Sequence, residues 1–137
     1  MVLWDLAALQ WLHLDGNQLT SLPTELGRLT ALKGLWLAGT KLTSMPAELG
    51  HLTALTRLDL RGTQLTSVPV ELGNLTALQW LDLAANQLTS VPVEHGHLKA
   101  LTWLNLVGNP DLAALPEELE QLSTTHGGKC TIDIGTE

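Results

Sequence analysis

Three groups of residues have side chains that could do chemistry. Asp59 and Asp82 are 23 residues apart, and two neighbouring carboxylates can act as an acid and a base or hold a cation. Residues 94–97, Glu-His-Gly-His, combine residue types that bind metal ions. Cys130 is the only thiol, and it would be reactive if it were exposed in a positively charged setting.

None of these three groups has the additional residues that an active site would require. No nucleophile is paired with a base, no glycine-rich loop could hold a phosphate, and no zinc-ligand spacing occurs. His95 replaces a leucine of a repeated pattern, so we predict a packing defect that tilts its ring outward, whereas His97 falls in an exposed column. Cys130 alternates with Ile132 and Ile134, and all three are predicted to face the core. We expect no enzymatic activity, no metal and no cofactor.

Composition argues against two classes of partner. The chain has 137 residues with 14 acidic and 7 basic side chains, a net charge of -7, and 33 leucines. Because there is no run of Lys or Arg, no nucleic-acid partner is expected. Charges interrupt every apolar stretch before it reaches about 18 residues, so no membrane span is expected.

Two features favour a cytoplasmic protein. One cysteine cannot form an internal disulfide, and residues 1–6 lack the basic start of a signal peptide. Secretion stays open as an alternative. Residues 74–76, Asn-Leu-Thr, match the acceptor pattern for N-glycosylation, although the same triplet belongs to the repeated pattern.

A 23-residue period organises the chain. Five units begin at Ala8, Ala31, Ala54, Ala77 and Ala100, and the fifth has one extra residue and ends at about Ser123. We predict one domain over 1–137, with a partial N-terminal cap at 1–7, five repeats over 8–123 and a closing strand within 124–137. A single unit cannot bury its own leucines, so stacking of neighbouring units must build the core.

Each unit predicts one short strand and one turn of helix. In Trp11-Leu12-His13-Leu14-Asp15 the leucines alternate with other residues, which places both leucines on one face of a strand. Pro23 and its equivalents fit the first position of a helical turn, where a missing N–H costs little. The Glu two residues later favours the positive end of the turn's dipole.

The units resemble the leucine-rich repeat family. The string Leu-x-x-Leu-x-Leu-x-x-Asn/Thr-x-Leu, formed in the first unit by Leu9, Leu12, Leu14, Asn17 and Leu19, is the signature of that family. The following Leu/Val/Met-Pro-x-Glu-Leu-Gly-x-Leu stretch is similar to short intracellular members of the plant Ras-group, algal and bacterial type. The resemblance implies an α/β leucine-rich repeat solenoid. Such a solenoid has a concave parallel β-sheet and short helical or 3-10 segments on its convex side, and it binds other proteins. The Asn17 column would form a hydrogen-bonded ladder, weakened where Thr40 and Thr63 replace Asn.

Sequence variation is confined to positions that should face outward on the sheet. Four of the five tryptophans fall in these positions, although an exposed Trp is uncommon without a function and Trp and Arg are frequent in binding hot spots. We predict two aromatic patches beside a charged centre, with Arg57 stacked on Trp80. The predicted contacts for a partner protein are Trp11, His13, Trp36, Arg57, Asp59, Arg61, Trp80, Asp82, Trp103 and Asn105.

Several other interpretations are open. The tryptophans could only stiffen the sheet, or they could stack on sugar rings. The chain could be a scaffold that forms a weak homodimer through its thinly covered N-terminal edge, near Leu3 and Trp4. A ladder of threonines, Thr20, Thr43, Thr66 and Thr89, could also bind ice.

Overall fold

The computed structural model describes residues 3–135, except for the side chain of His126. Residues 1–2 of the predicted N-terminal cap and 136–137 of the predicted closing segment lie outside the described residues.

Six short strands form one parallel sheet in sequence order. They are β1 (Trp11–His13), β2 (Gly34–Trp36), β3 (Arg57–Asp59), β4 (Trp80–Asp82), β5 (Trp103–Asn105) and β6 (Thr131–Asp133). Between β1 and β5, each residue pairs with the residue 23 positions later, as in the pairing of Leu12 with Leu35. The predicted repeat solenoid is therefore confirmed, and β6 confirms the predicted closing strand.

Leucine columns from successive coils form one continuous core. The middle residue of each strand from β1 to β5 is a buried leucine, and leucines from the rest of each coil pack behind the sheet. Because neighbouring strands are in register, each leucine lies on its equivalent in the next coil. Stability thus depends on contacts between adjacent coils.

The side opposite the sheet consists of single helical turns. These are the 3-10 segments Leu3–Asp5, Thr24–Arg28, Ala47–His51, Val70–Asn74, Val93–His97 and Thr124–His126, and the α-helix α1 (Glu117–Glu120). Pro23, Pro46, Pro69 and Pro92 are the extended N-cap residues of four of the segments, one position before the first position that was predicted for them. The turns pack closely because a glycine faces the next turn. A Cβ on Gly50 would lie 2.9 Å from the carbonyl oxygen of Glu71.

Asn and Thr side chains form a ladder of hydrogen bonds inside the turns that follow the strands. Asn86 Nδ2 donates to the carbonyl oxygens of Leu60 and Leu83, at 2.9 and 3.1 Å, and its Oδ1 accepts from the Leu65 N–H. Thr40 Oγ1 donates only to the Leu37 carbonyl oxygen, at 2.9 Å. The predicted partial replacement of Asn by Thr is confirmed.

Asn17, in contrast, is exposed and bonds only to the Leu14 carbonyl oxygen, 2.9 Å away. The expectation of an inward-facing Asn17 is wrong. Its coil is the first complete one, so no earlier strand turn of the described chain covers it.

His95 contradicts the predicted outward tilt. Its side chain is buried, with 1% exposure, in the position that leucine occupies in other coils. Nε2 lies 3.1 Å from the carbonyl oxygen of Pro69 in the preceding coil, and because a carbonyl only accepts, Nε2 donates. This bond satisfies the ring inside the core, and burial lowers the pKa of His95.

The C-terminal end agrees with only part of the predicted pattern. Cys130 is fully buried, and burial raises the pKa of its thiol to about 11. Ile132 is half-buried against the core, but Ile134 is 58% exposed, so the prediction that it faces the core is wrong. β6 ends at Asp133, and no later coil of the described chain covers Ile134.

Candidate functional site

All ten predicted site residues lie on or directly after strands β1 to β5. Nine of them flank the buried leucines of these strands and occupy the opposite face. Arg61 lies two residues after β3, and its side chain reaches Asp59 and Asp82 on the same side. We call the face formed by these ten residues the outer sheet face. Register aligns them into two rows. One row contains Trp11, Gly34, Arg57, Trp80 and Trp103, and the other contains His13, Trp36, Asp59, Asp82 and Asn105.

Three rings form an N-terminal aromatic cluster. His13 and Trp36 stack face to face, with ring centroids 4.1 Å apart and an interplanar angle of 3°. Trp11 lies 6.0 Å from Trp36 and is 49% exposed. The cluster is possible because Gly34 has no side chain, since a Cβ there would collide with both indole rings. The rings of the same face therefore fill the space over Gly34.

Trp80 and Trp103 form a second aromatic cluster. Their ring centroids are 4.8 Å apart with an interplanar angle of 17°, and both side chains are half-buried. The register places Arg57 beside Trp80, but the ring contacts within residues 3–135 do not include one between them. The predicted stacking of Arg57 on Trp80 is thus wrong. Arg57 is exposed, so water competes with the ring for its guanidinium.

The charged centre lies deeper than predicted. Asp59 and Asp82 are adjacent in register and only 3% and 2% exposed, although both positions were predicted to face outward on the sheet. Arg61 Nη2 is 3.2 Å from Asp59 Oδ2, and Arg61 Nε is 3.7 Å from Asp82 Oδ2. Burial raises the pKa of Asp59, while the backbone N–H and guanidinium of Arg61 oppose that rise. The carboxylates are therefore covered by Arg61.

These acidic residues also have a structural role that the sequence interpretation missed. Asp59 accepts from the backbone N–H of Arg61 at 3.1 Å, and Asp82 accepts from that of Ala84 at 2.9 Å. Asn105 and Asp133 accept in the same way from the residue two positions later. Asp or Asn at the end of strands β3 to β6 was the signal for this turn. The oxygens assigned to a partner are thus largely used within the turn.

The side chains of the outer sheet face are of types that suit binding. Within residues 3–135, no group of three His, Cys, Asp or Glu side chains is placed to hold a metal ion. Indole rings, His13, Asn105 and two guanidinium groups form the exposed or half-buried part of the outer sheet face, and the exposed carboxylate of Asp15 follows β1. The face therefore combines apolar area with charged groups.

A shallow cleft lies at the C-terminal end of the sheet. Val107, Leu112, Leu115 and Ile134 contribute its apolar lining, and Glu120 is its one ionisable group. It opens where a further coil would stack.

In the described part of the chain, no helix is long and apolar enough to cross a bilayer.

Comparison with known proteins identifies relatives of the same architecture. Residues 7–65 and 57–110 match the family model described as leucine rich repeat. A leucine-rich repeat protein of Leptospira interrogans is 39% identical, with a TM-score of 0.84 over 96% of this chain and 32% of that one. No curated protein matches the chain.

The leucine-rich repeat ectodomain of the Arabidopsis thaliana membrane receptor kinase GASSHO1/SCHENGEN3 is also similar. That structure contains a complex with Casparian strip integrity factor 2. It is 37% identical, with a TM-score of 0.79 over 97% of this chain and 16% of that one. The chain thus spans less than a third of the length of either protein.

Proposed function

Because the chain belongs to the leucine-rich repeat family, we propose that it binds another protein through the outer sheet face. The observation that carries this proposal is the confinement of four tryptophans to that face, in two clusters that no other coil within residues 3–135 covers. Indole rings supply large, rigid contact areas and are the residues most enriched in binding hot spots.

The relatives support the same class of function. Leucine-rich repeat domains generally mediate protein-protein interactions and are typically not enzymes. The similar plant ectodomain is in complex with Casparian strip integrity factor 2, which is evidence about that receptor and a precedent for this fold. We extend the precedent to the outer sheet face of this chain, where the ten predicted residues lie.

Selection from a random peptide library displayed on phage tests the proposal. The protein is immobilised, and selected peptides are measured against the double variant Trp80→Ala/Trp103→Ala. We expect affinity to fall at least about tenfold, because truncation of a hot-spot residue costs roughly 2 kcal/mol or more. Circular dichroism verifies that the variant keeps its fold.

Val70→Ala/Val93→Ala is the matched control. Val70 and Val93 are 47% and 49% exposed on the helical turns, on the side opposite the sheet. This variant should bind the selected peptides as the unchanged protein does. Equal binding of the peptides by the Trp variant would contradict the proposal, and so would failure to select any peptide. Selection of glycans from an array through the same tryptophans would instead favour sugar binding.

Self-association is a second candidate, favoured by one observation. β1 is an edge strand of the sheet, and its Trp11 is 49% exposed. Edge strands with apolar side chains can pair with a second copy of the chain. In this case, the mass in sedimentation should rise with concentration, and Trp11→Ala should lower it. A mass that stays monomeric at every concentration would contradict this candidate.

A further inference from the structure

The charges of the outer sheet face are arranged by depth. Asp59 and Asp82 lie beneath the surface, whereas Arg57 is exposed and the Arg61 side chain is 56% exposed. The two carboxylates are bonded to Arg61 and to backbone N–H groups. The formal charges of this centre sum to zero, but the groups that meet solvent are the guanidinium groups.

Within residues 3–135, Arg57 is the one of these two cations without a counter-ion. The ion pairs within the described residues join Arg28 to Asp5 and Arg61 to Asp59 and Asp82, and none involves Arg57. A carboxylate of a partner could therefore bind Arg57 without breaking an existing pair. A guanidinium offers two parallel N–H donors to a carboxylate, which makes this contact directional.

Arg57 also lies between the two aromatic clusters. The N-terminal cluster is packed over Gly34 on β2, and the second cluster spans β4 and β5. Neighbouring strands are roughly 5 Å apart, so the two clusters are separated by roughly 10 to 14 Å with β3 between them. Across the strands, the face thus presents an apolar surface, then a positive surface and then a second apolar surface.

An extended peptide crossing the strands would match this spacing. Side chains on one side of an extended chain recur about every 7 Å, so two such steps cover roughly 13 Å. We propose that the outer sheet face binds an extended acidic segment of a partner protein. An Asp or Glu of this segment pairs with Arg57. The apolar side chains two residues before and two residues after that acidic residue contact the two aromatic clusters. This inference rests on the proposed function.

The overall charge would restrict such a segment to this face. The chain has a net charge of -7, so the remaining surface repels an acidic peptide on average. The exposed Asp15 follows β1 and the exposed Asp133 ends β6. Both accept a backbone N–H bond, and the charge of Asp15 also acts on Asp59. The local cations therefore select the position and register of the peptide.

Three labelled synthetic peptides test the inference by fluorescence anisotropy. The first is a Gly/Ser peptide with a glutamate midway between two leucines that are four positions apart. In the second, glutamine replaces the glutamate, and in the third one leucine is moved next to the other. We expect the first to bind at least about fivefold more tightly than either of the others, because a charge-assisted hydrogen bond and the spacing both contribute.

Arg57→Glu should remove the preference for glutamate over glutamine. Lys99→Glu makes the same change of charge at an exposed residue outside the outer sheet face, and it should leave the preference intact. Arg57 is exposed and unpaired within the described residues, so its replacement should not affect folding, which urea denaturation verifies.

The outcomes separate this inference from the proposed function. Equal binding of the glutamate and glutamine peptides, lost in Trp80→Ala/Trp103→Ala, would overturn the acidic partner and leave the binding face in place. If the peptides bind equally well to the unchanged protein and to this Trp variant, both the inference and the proposed function are contradicted. If none of the three peptides binds while selected library peptides bind through the tryptophans, the inference alone is wrong.

Discussion

The indole ring of Trp36 lies over the backbone of Gly34, two residues earlier on the same strand. A Cβ on Gly34 would lie 2.6 Å from Cε3 of Trp11 and closer still to the Trp36 ring. Real Cβ atoms do not approach other atoms so closely, so the aromatic cluster requires glycine at this position. The absence of a side chain at Gly34 is therefore part of the candidate binding site.

Gly34→Val should displace the Trp36 ring and expose it to water. Its stack on His13 would be lost, and we expect a red shift of tryptophan emission and weaker near-ultraviolet circular dichroism. Ala47→Val is the control, because Val occupies the equivalent exposed position in the next two coils. Unchanged spectra for Gly34→Val would show that the cluster does not depend on this glycine.

Gly73→Ala should destabilise the solenoid by about 1–3 kcal/mol. A Cβ on Gly73 would collide with the backbone carbonyl of Glu94 in the next helical turn, and backbone cannot move aside as a side chain can. The free energy of unfolding in urea measures the effect, with the exposed Thr76→Ala as the control. Equal stability of Gly73→Ala and the unchanged protein would mean that neighbouring turns are less tightly packed than the structure indicates.

Thr40→Asn should stabilise the protein by about 1 kcal/mol. Thr40 makes one ladder bond, to the Leu37 carbonyl oxygen, whereas Asn86 bonds to backbone groups of its own coil and of the preceding one. An Asn at position 40 could reach the equivalent groups near Leu14 and Leu19. A higher midpoint of urea unfolding is expected, and a lower one would show that the site fits only a threonine.

Asp59→Asn should cost less stability than Asp59→Ala. Asn keeps the oxygen that accepts from the Arg61 N–H, as Asn105 does in its own coil with Val107, and it removes a buried charge. Ala leaves that backbone N–H without its acceptor, which costs about 1–3 kcal/mol. Urea denaturation of both variants compares these costs. Equal losses would indicate that the ion pair with Arg61, rather than the turn, is the important contact of Asp59.

Acidification should destabilise the protein through His95. Burial lowers the pKa of His95 below its ordinary value of 6.5, while the Pro69 carbonyl and the charge of Glu94 oppose this shift. The unfolded chain therefore takes up a proton first, and stability falls as pH drops below about 6.5. Above that pH, both states are neutral at this residue and it makes no contribution.

His95→Leu provides the measurement of this effect. The free energy of unfolding is compared between about pH 8 and about pH 5.5, a range that covers histidine titration. His95→Leu restores the residue found at the equivalent position of other coils. We expect this variant to lose part of the acid sensitivity. His97→Leu, at an exposed position, should retain the sensitivity. Identical pH profiles for the two variants would contradict the assignment to His95.

Much of the fold follows from local pattern. The 23-residue period, the alternation around Leu12 and the recurring Pro23 position predicted the strands, the helical turns and their stacking, because each is repeated in nearly the same sequence. The outward position of the ten site residues followed from the same alternation, which has only two faces to choose from. The leucine-rich core required no further information.

The sequence did not reveal the environment of individual polar and terminal side chains. Asp59, Asp82 and His95 are polar, so sequence alone suggested exposure, yet each finds hydrogen-bond or ion-pair partners in its own turn or in the preceding coil. Ile134 is apolar, yet it is exposed because no coil of the described chain follows it.

The sequence by itself therefore determined the repeat, the strand faces and the apolar columns, because these depend on a periodicity within each unit. Only the tertiary structure decided that Trp36 covers Gly34, that Arg61 covers two carboxylates and that Arg57 has no counter-ion within the described residues. Those relationships depend on how side chains pack within one strand and between neighbouring coils. Distance in space sets the partners of each side chain, and the pattern of a single unit does not contain it.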